Sequence, residues 1–159
     1  MEEFIMTQEA FDRLWARVQG AEPAPMPARD DAAVLRGFLE QTWQTLAFET
    51  RLLCRSGCAQ TALQHLCSDT RERLNRLRTA HFLLTGERCL PPETCPVCGD
   101  FLADLRKGYL SARKRASAYA RAAQEPCPPE LQELYAALSG EETAHAACIR
   151  RLIASLLRR

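Results

Sequence analysis

Two groups of residues in this sequence have types and spacings that can do chemistry. The first is Glu142-Thr143-Ala144-His145, an acid and an imidazole three positions apart, which a helix stacks on one face. Side chains so placed can share a metal ion or a proton. The second is Cys95-Pro96-Val97-Cys98-Gly99, a metal-binding knuckle in which proline stiffens the turn and glycine frees amides to face the sulfurs. One such knuckle is half of a tetrahedral site, and no second C-x-x-C completes it. The remaining cysteines are Cys54, Cys58, Cys67, Cys89, Cys127 and Cys148, eight in all. In a reducing compartment that count points to metal ligands or redox thiols rather than a disulfide framework. No phosphate loop, nucleophile elbow or catalytic triad is visible.

The elements that must position these residues are helices. Four periodic segments, roughly 31–54, 59–84, 100–124 and 129–157, carry apolar seams at alternating steps of three and four. Leu35, Leu39, Thr42, Leu46, Glu49 and Leu53 form the first seam, and Leu63, Leu66, Thr70, Arg73, Leu77, Ala80 and Leu84 the second. The third runs Leu102, Leu105, Tyr109, Ala112, Ala116, Tyr119 and Ala123. The fourth runs Leu131, Tyr135, Leu138, Glu142, His145, Ile149, Leu152 and Leu156. This pattern predicts an all-α protein: a four-helix bundle over residues 30–159. Residues 1–29 form a separate N-terminal part, a short helix over 7–20 followed by a Pro-rich linker.

Connection lengths give the topology. Ser56-Gly57 and Glu125–Pro128 are tight stops, so each flanking helix pair is antiparallel, and Pro129 suits the first turn of its helix. Residues 85–98 form a longer link. Extended, about fourteen residues reach roughly 46 Å, enough to pass a helix roughly 36 Å long. The link can therefore run the length of the bundle as one crossover. In that topology Cys54 and Cys58 share a pole with Cys95 and Cys98, as a four-cysteine zinc or iron site requires. Cys89 and Cys127 then meet at the opposite pole as a disulfide or redox couple. In a plain up-down-up-down bundle the four-cysteine site fails. Cys67 and Cys148 read as small core residues, and His65 and His81 as surface or boundary side chains.

All four seams turn polar or small at one depth: Thr42 and Glu49, Thr70 and Arg73, Ala112 between Tyr109 and Tyr119, Glu142 and His145. Buried charge is costly unless paired or metal-bound, so a whole layer of it needs a reason. The halves also look repeated. Thr42 to Ala112 and Glu49 to Tyr119 are 70 apart, while Thr70 to Glu142 and Arg73 to His145 are 72 apart.

With these residues the sequence resembles the ferritin-like superfamily, and its rubrerythrin-like branch in particular, over about residues 31–157. The motif is intact within SGEETAHAACIRRL. HFLLTGERC and ELQELYAAL look similar to small bacterial members, and Tyr119 looks like the family's tyrosine near the metals. The resemblance implies two metals, commonly iron, held by one Glu from each of two helices and Glu-x-x-His from each of the others. The departures are large. The register puts Thr42, Ala112 and Thr70-Arg71-Glu72-Arg73 where four of the six ligands belong, leaving Glu142 and His145. An ordinary di-iron oxidase or peroxidase is not expected from such a set.

Arg73 stands where a histidine would point at the metals, and its guanidinium cannot lose its proton. The expectation is a permanent internal cation paired to Glu142 and, through the first seam, to Glu49. Two alternatives stay open: Arg73 snorkels outward, or Glu142, His145 and Glu49 hold a single metal. Two functions follow. One is a redox or metal-binding protein with an oxidative-stress role, handling peroxide, oxygen or iron. The other is a non-catalytic helical module that binds a protein partner or a second copy of itself.

Composition sets the outer bounds. Lys+Arg number 21 against 20 Asp+Glu, a net charge of +1 that gives no reason to expect nucleic acid or an anionic membrane. No apolar stretch approaches a membrane span, and the N-terminus lacks the pattern of a signal peptide. A cytoplasmic protein is the expectation.

Overall fold

The computed structural model describes residues 30–93 and 99–158, together with Asp12, Trp15 and Ala16. The expected helix over 7–20 and its linker otherwise lie outside the described residues, as do Cys95 and Cys98. Four long helices pack together: α1 (Asp31–Leu53), α2 (Gln60–Thr85), α3 (Phe101–Gln124) and α4 (Pro129–Leu157). Among the described residues there is no strand. Nor is any helix there long and apolar enough to cross a membrane.

Each boundary has a local cause. The Asp30 side chain accepts from Ala33 N at 3.0 Å and opens α1, and Asp100 caps α3 through Ala103 N at the same distance. A short 3-10 turn, Gly57–Ala59, reverses the chain between α1 and α2. Gly86 ends α2 at φ 73°, a left-handed conformation that glycine adopts without a Cβ clash. Its amide donates to Phe82 O at 2.7 Å. Pro129 takes the first turn of α4, where a missing amide proton costs nothing.

The core is split in two. One cluster joins Leu35, Phe38 and Leu39 of α1 to Leu74 and Leu77 of α2, Tyr119 of α3, and Leu131, Tyr135 and Leu138 of α4. The other joins Leu52 of α1, Leu63 and Leu66 of α2, Leu105 of α3, and Ile149 and Leu152 of α4. One end of the molecule thus gathers the starts of α1 and α4 with the ends of α2 and α3. The other end gathers the reverse. Helices α1 and α4 point one way and α2 and α3 the other, so the chain travels from one end to the other between Thr85 and Phe101.

Burial corrects the seams at particular positions. Leu84 is exposed rather than packed, because α2 is in its last turn there. His81 is buried, not a boundary residue; its Nδ1 lies 3.3 Å from Glu87 O, and its Nε2 has no hydrogen-bond partner among the described residues. Cys148 is exposed on α4, whereas Cys67 is buried as expected.

Candidate functional site

Between the two apolar clusters lies a layer of buried polar side chains, and each helix delivers its members from the inward face. Helix α1 gives Thr42 and Glu49, α2 gives Thr70 and Arg73, α3 gives Arg115, and α4 gives Glu142 and His145; all are at most 7% exposed. The steps Thr70 to Arg73 and Glu142 to His145 stack each pair one turn apart on its helix.

Arg73 sits at the centre, and does not snorkel: it is 1% exposed. Its Nη2 donates to Thr70 Oγ1 at 2.9 Å and faces His145 Nδ1 at 3.0 Å. Its Nε lies 3.4 Å from Glu142 Oε1, an ion pair without hydrogen-bond geometry. The Thr70 hydroxyl passes the connection on, donating to Glu49 Oε2 at 2.8 Å. Glu49 Oε1 and His145 Nε2 are 2.7 Å apart. A guanidinium can only donate, so Nδ1 of His145 must accept. The ring proton then belongs on Nε2, where it is donated to the Glu49 carboxylate. His145 is a neutral imidazole in a fixed tautomer, held between a cation and an anion.

Arg115 completes the layer, and sequence reasoning missed it. Its Nε and Nη2 reach Glu142 Oε1 and Oε2, each at 3.0 Å, in the two-pronged geometry that makes arginine–carboxylate pairs strong. Glu142 therefore stands between two guanidinium groups. Two cations, two carboxylates and a neutral imidazole give a layer whose charges cancel.

Tyr119 and Thr42 close the layer toward the first cluster. Thr42 Oγ1 donates to Phe38 O at 2.8 Å, and its side chain also interacts with the Tyr119 phenol. Burial pushes the Tyr119 phenol up to about 12, with the Glu142 carboxylate adding to the shift and the Thr42 bond opposing it. Tyr109, expected in this band, is not part of it. It is half-buried against the second cluster, with the Arg113 guanidinium 5.9 Å from its ring, because α3 has climbed toward its first turns.

A di-metal centre does not fit these donors. The Glu142 carboxylate that would bridge two metals is held by two guanidinium groups instead, and a metal ion there would face fixed positive charge. The single metal on Glu142, His145 and Glu49 fails as well. His145 and Glu49 turn their ligand atoms on each other, and His145 gives its second nitrogen to Arg73. Among the described residues no group of three or more His, Cys, Asp or Glu is placed to hold a metal ion.

The cysteines divide by end. Cys54 and Cys58 are exposed at the α1–α2 turn. Next to Cys54, Arg55 donates through Nη2 to Gly99 O at 2.7 Å and through Nη1 to Asp104 Oδ2 at 3.2 Å. The turn thus touches the residue that follows Cys98. Cys89 and Cys127 both pack against the first cluster, at the opposite end, and no disulfide joins them. Burial, with the Glu49 carboxylate adding to it, pushes the Cys67 thiol up, so it stays protonated.

No family model matches this sequence, and no curated protein or solved structure matches it.

Proposed function

We propose that the chain is a ferritin-like, rubrerythrin-like bundle whose di-metal centre has been replaced by an internal arginine–carboxylate network, leaving a non-catalytic helical module. The observation that carries this reading is Glu142, the remnant of the metal-binding motif, held between Arg73 and Arg115. Positive charge that iron supplies in the family comes here from two side chains that stay charged at any physiological pH. The helix directions and the end-to-end link between α2 and α3 support the ferritin-like connection. The test is metal content after anaerobic purification and incubation with ferrous iron. This reading expects no iron that depends on Glu142; two iron atoms per chain, lost in Glu142→Ala, would sink it.

A second reading has an observation of its own. The bond from Arg55 to Gly99 brings the Cys54–Cys58 turn to the residue beside Cys98, which favours a zinc or iron site on Cys54, Cys58, Cys95 and Cys98. Such a site would keep a metal-binding or redox role, including one in oxidative stress, at the end of a bundle whose middle has lost it. Zinc at one atom per chain in the wild type, absent from Cys95→Ser, is the expected result. Equal zinc in both removes this reading.

A further inference from the structure

Helices α1 and α3 stand apart and leave a cleft of about 620 Å³, within the size range of small-molecule sites. Its two halves differ in kind. Toward the end where α1 finishes, the walls are Phe48, Leu52, Leu63, Leu66, Leu105 and Ile149, contributed by all four helices. Toward the other end they are Gln41, Gln44, Thr45, Lys114, Arg115 and Arg121. The opening has a sequence cause: α3 presents Gly108, Ser111 and Ala118 to α1, too small to fill the space.

The polar half is positive. Lys114 and Arg121 are exposed and form no ion pair among the described residues; Lys107, beside the apolar half, is paired with Asp104 at 3.5 Å. Arg115 is 7% exposed, and two of its nitrogens hold Glu142. Among the described residues no acceptor takes the third, Nη1, although the side chain lines the cleft. Among the described residues Glu49 is the one acid in the lining, and both its oxygens are already engaged by Thr70 and His145.

We infer that this cleft binds an amphipathic monoanion, a free alkyl carboxylate, with its chain along the apolar half and its head group at Arg115 and Lys114. The segregation of apolar walls from unpaired cations along one channel selects for that class. A fully apolar molecule leaves the cations unanswered, and a short anion leaves the leucine-lined half exposed to water. A buried guanidinium fixed by a carboxylate behind it offers its free edge without losing side-chain freedom on binding. The inference is independent of whether the central layer descends from a metal site.

Dodecanoate below its micelle concentration is the probe, titrated into the full chain by calorimetry, with butyrate and dodecanol as controls. One saturable site per chain is expected, with dodecanoate at least about tenfold tighter than either control. Two variants that leave the central layer intact test the place. A Cβ at position 108 meets Phe48 Cε1 at 3.6 Å and Ile149 Cδ1 at 3.8 Å, ordinary contacts, so a larger side chain can begin there and narrow the apolar half. Gly108→Leu and the surface double variant Lys114→Glu/Arg121→Glu should each weaken dodecanoate binding at least about tenfold without lowering the melting temperature. Equal binding by dodecanol, or by both variants, overturns the proposal. So does a dimer that either variant dissociates, or binding to anionic vesicles without binding of free dodecanoate.

Discussion

The central layer and the α1–α3 cleft share Arg115 yet treat charge in opposite ways. In the layer every charge is buried and answered: Glu142 by two guanidinium groups, Glu49 by Thr70 and His145. In the cleft the cations Lys114 and Arg121 face water, with no ion-pair partner among the described residues. A closed network of this kind serves structure. Removing one member leaves its partners uncompensated in a poor solvent for charge. An open, one-signed wall contributes little to stability and is left over for a ligand. The difference teaches where to look for tolerance and where for collapse.

The largest expected effect is Glu142→Gln, which strips the shared carboxylate from both arginines. It should lower unfolding free energy by about 3–5 kcal/mol in urea titrations. A loss under about 1 kcal/mol would mean that water or another anion already answers Arg73 and Arg115.

Next comes alkali. The Tyr119 phenol ionises near 10 when unfolded and about 12 when folded, so the folded state keeps a proton that the unfolded state gives up. Its contribution is complete below pH 10 and is lost as the pH rises from 10 to about 12, at up to about 1.4 kcal/mol per unit. Stability curves of wild type and Tyr119→Phe should diverge only in that window. Parallel curves would place the phenol in water.

Arg73→Met should cost less than Glu142→Gln, about 2 kcal/mol, because Arg115 still holds both Glu142 oxygens while Thr70 and His145 each lose one bond. If the order of the two reverses, Arg115 is not the stronger partner of Glu142. Smallest of all is Gly108→Leu in the cleft, expected to be neutral or to stabilise by up to about 1 kcal/mol by helix propensity. A marked loss there would show that the cleft is packed.

Much of the layer was legible from helical spacing alone. Thr70, Arg73, Glu142, His145, Glu49, Thr42 and Tyr119 were all assigned inward by steps of three and four, and all seven are buried. Arg115 was not, because it sits in the run Arg113-Lys114-Arg115, which reads as a solvated charged face. A signal was present in the charge count: two carboxylates in the layer against one assigned cation, with Ala112 leaving room beside them. His81 was misread for a related reason. It has no carboxylate or histidine at ligand spacing and so reads as a surface or boundary side chain, but the chain folding back through Glu87 covers it. The cleft was illegible, since Gly108, Ser111 and Ala118 in a helix promise close packing as readily as a gap. Which of these arises depends on the neighbouring helix.

The central claim is that a guanidinium, with a neutral His145 against it, fills the middle of the four packed helices. Nitrogen NMR of the side chains reads both directly. The expected spectrum has two arginine Nε–H signals, from Arg73 and Arg115, protected from solvent exchange for far longer than the rest. It also has His145 as the Nε2–H tautomer, with both features unchanged by added ferrous iron. A His145 signal that shifts or broadens with stoichiometric iron, or Arg73 exchanging as fast as surface arginines, would contradict the account.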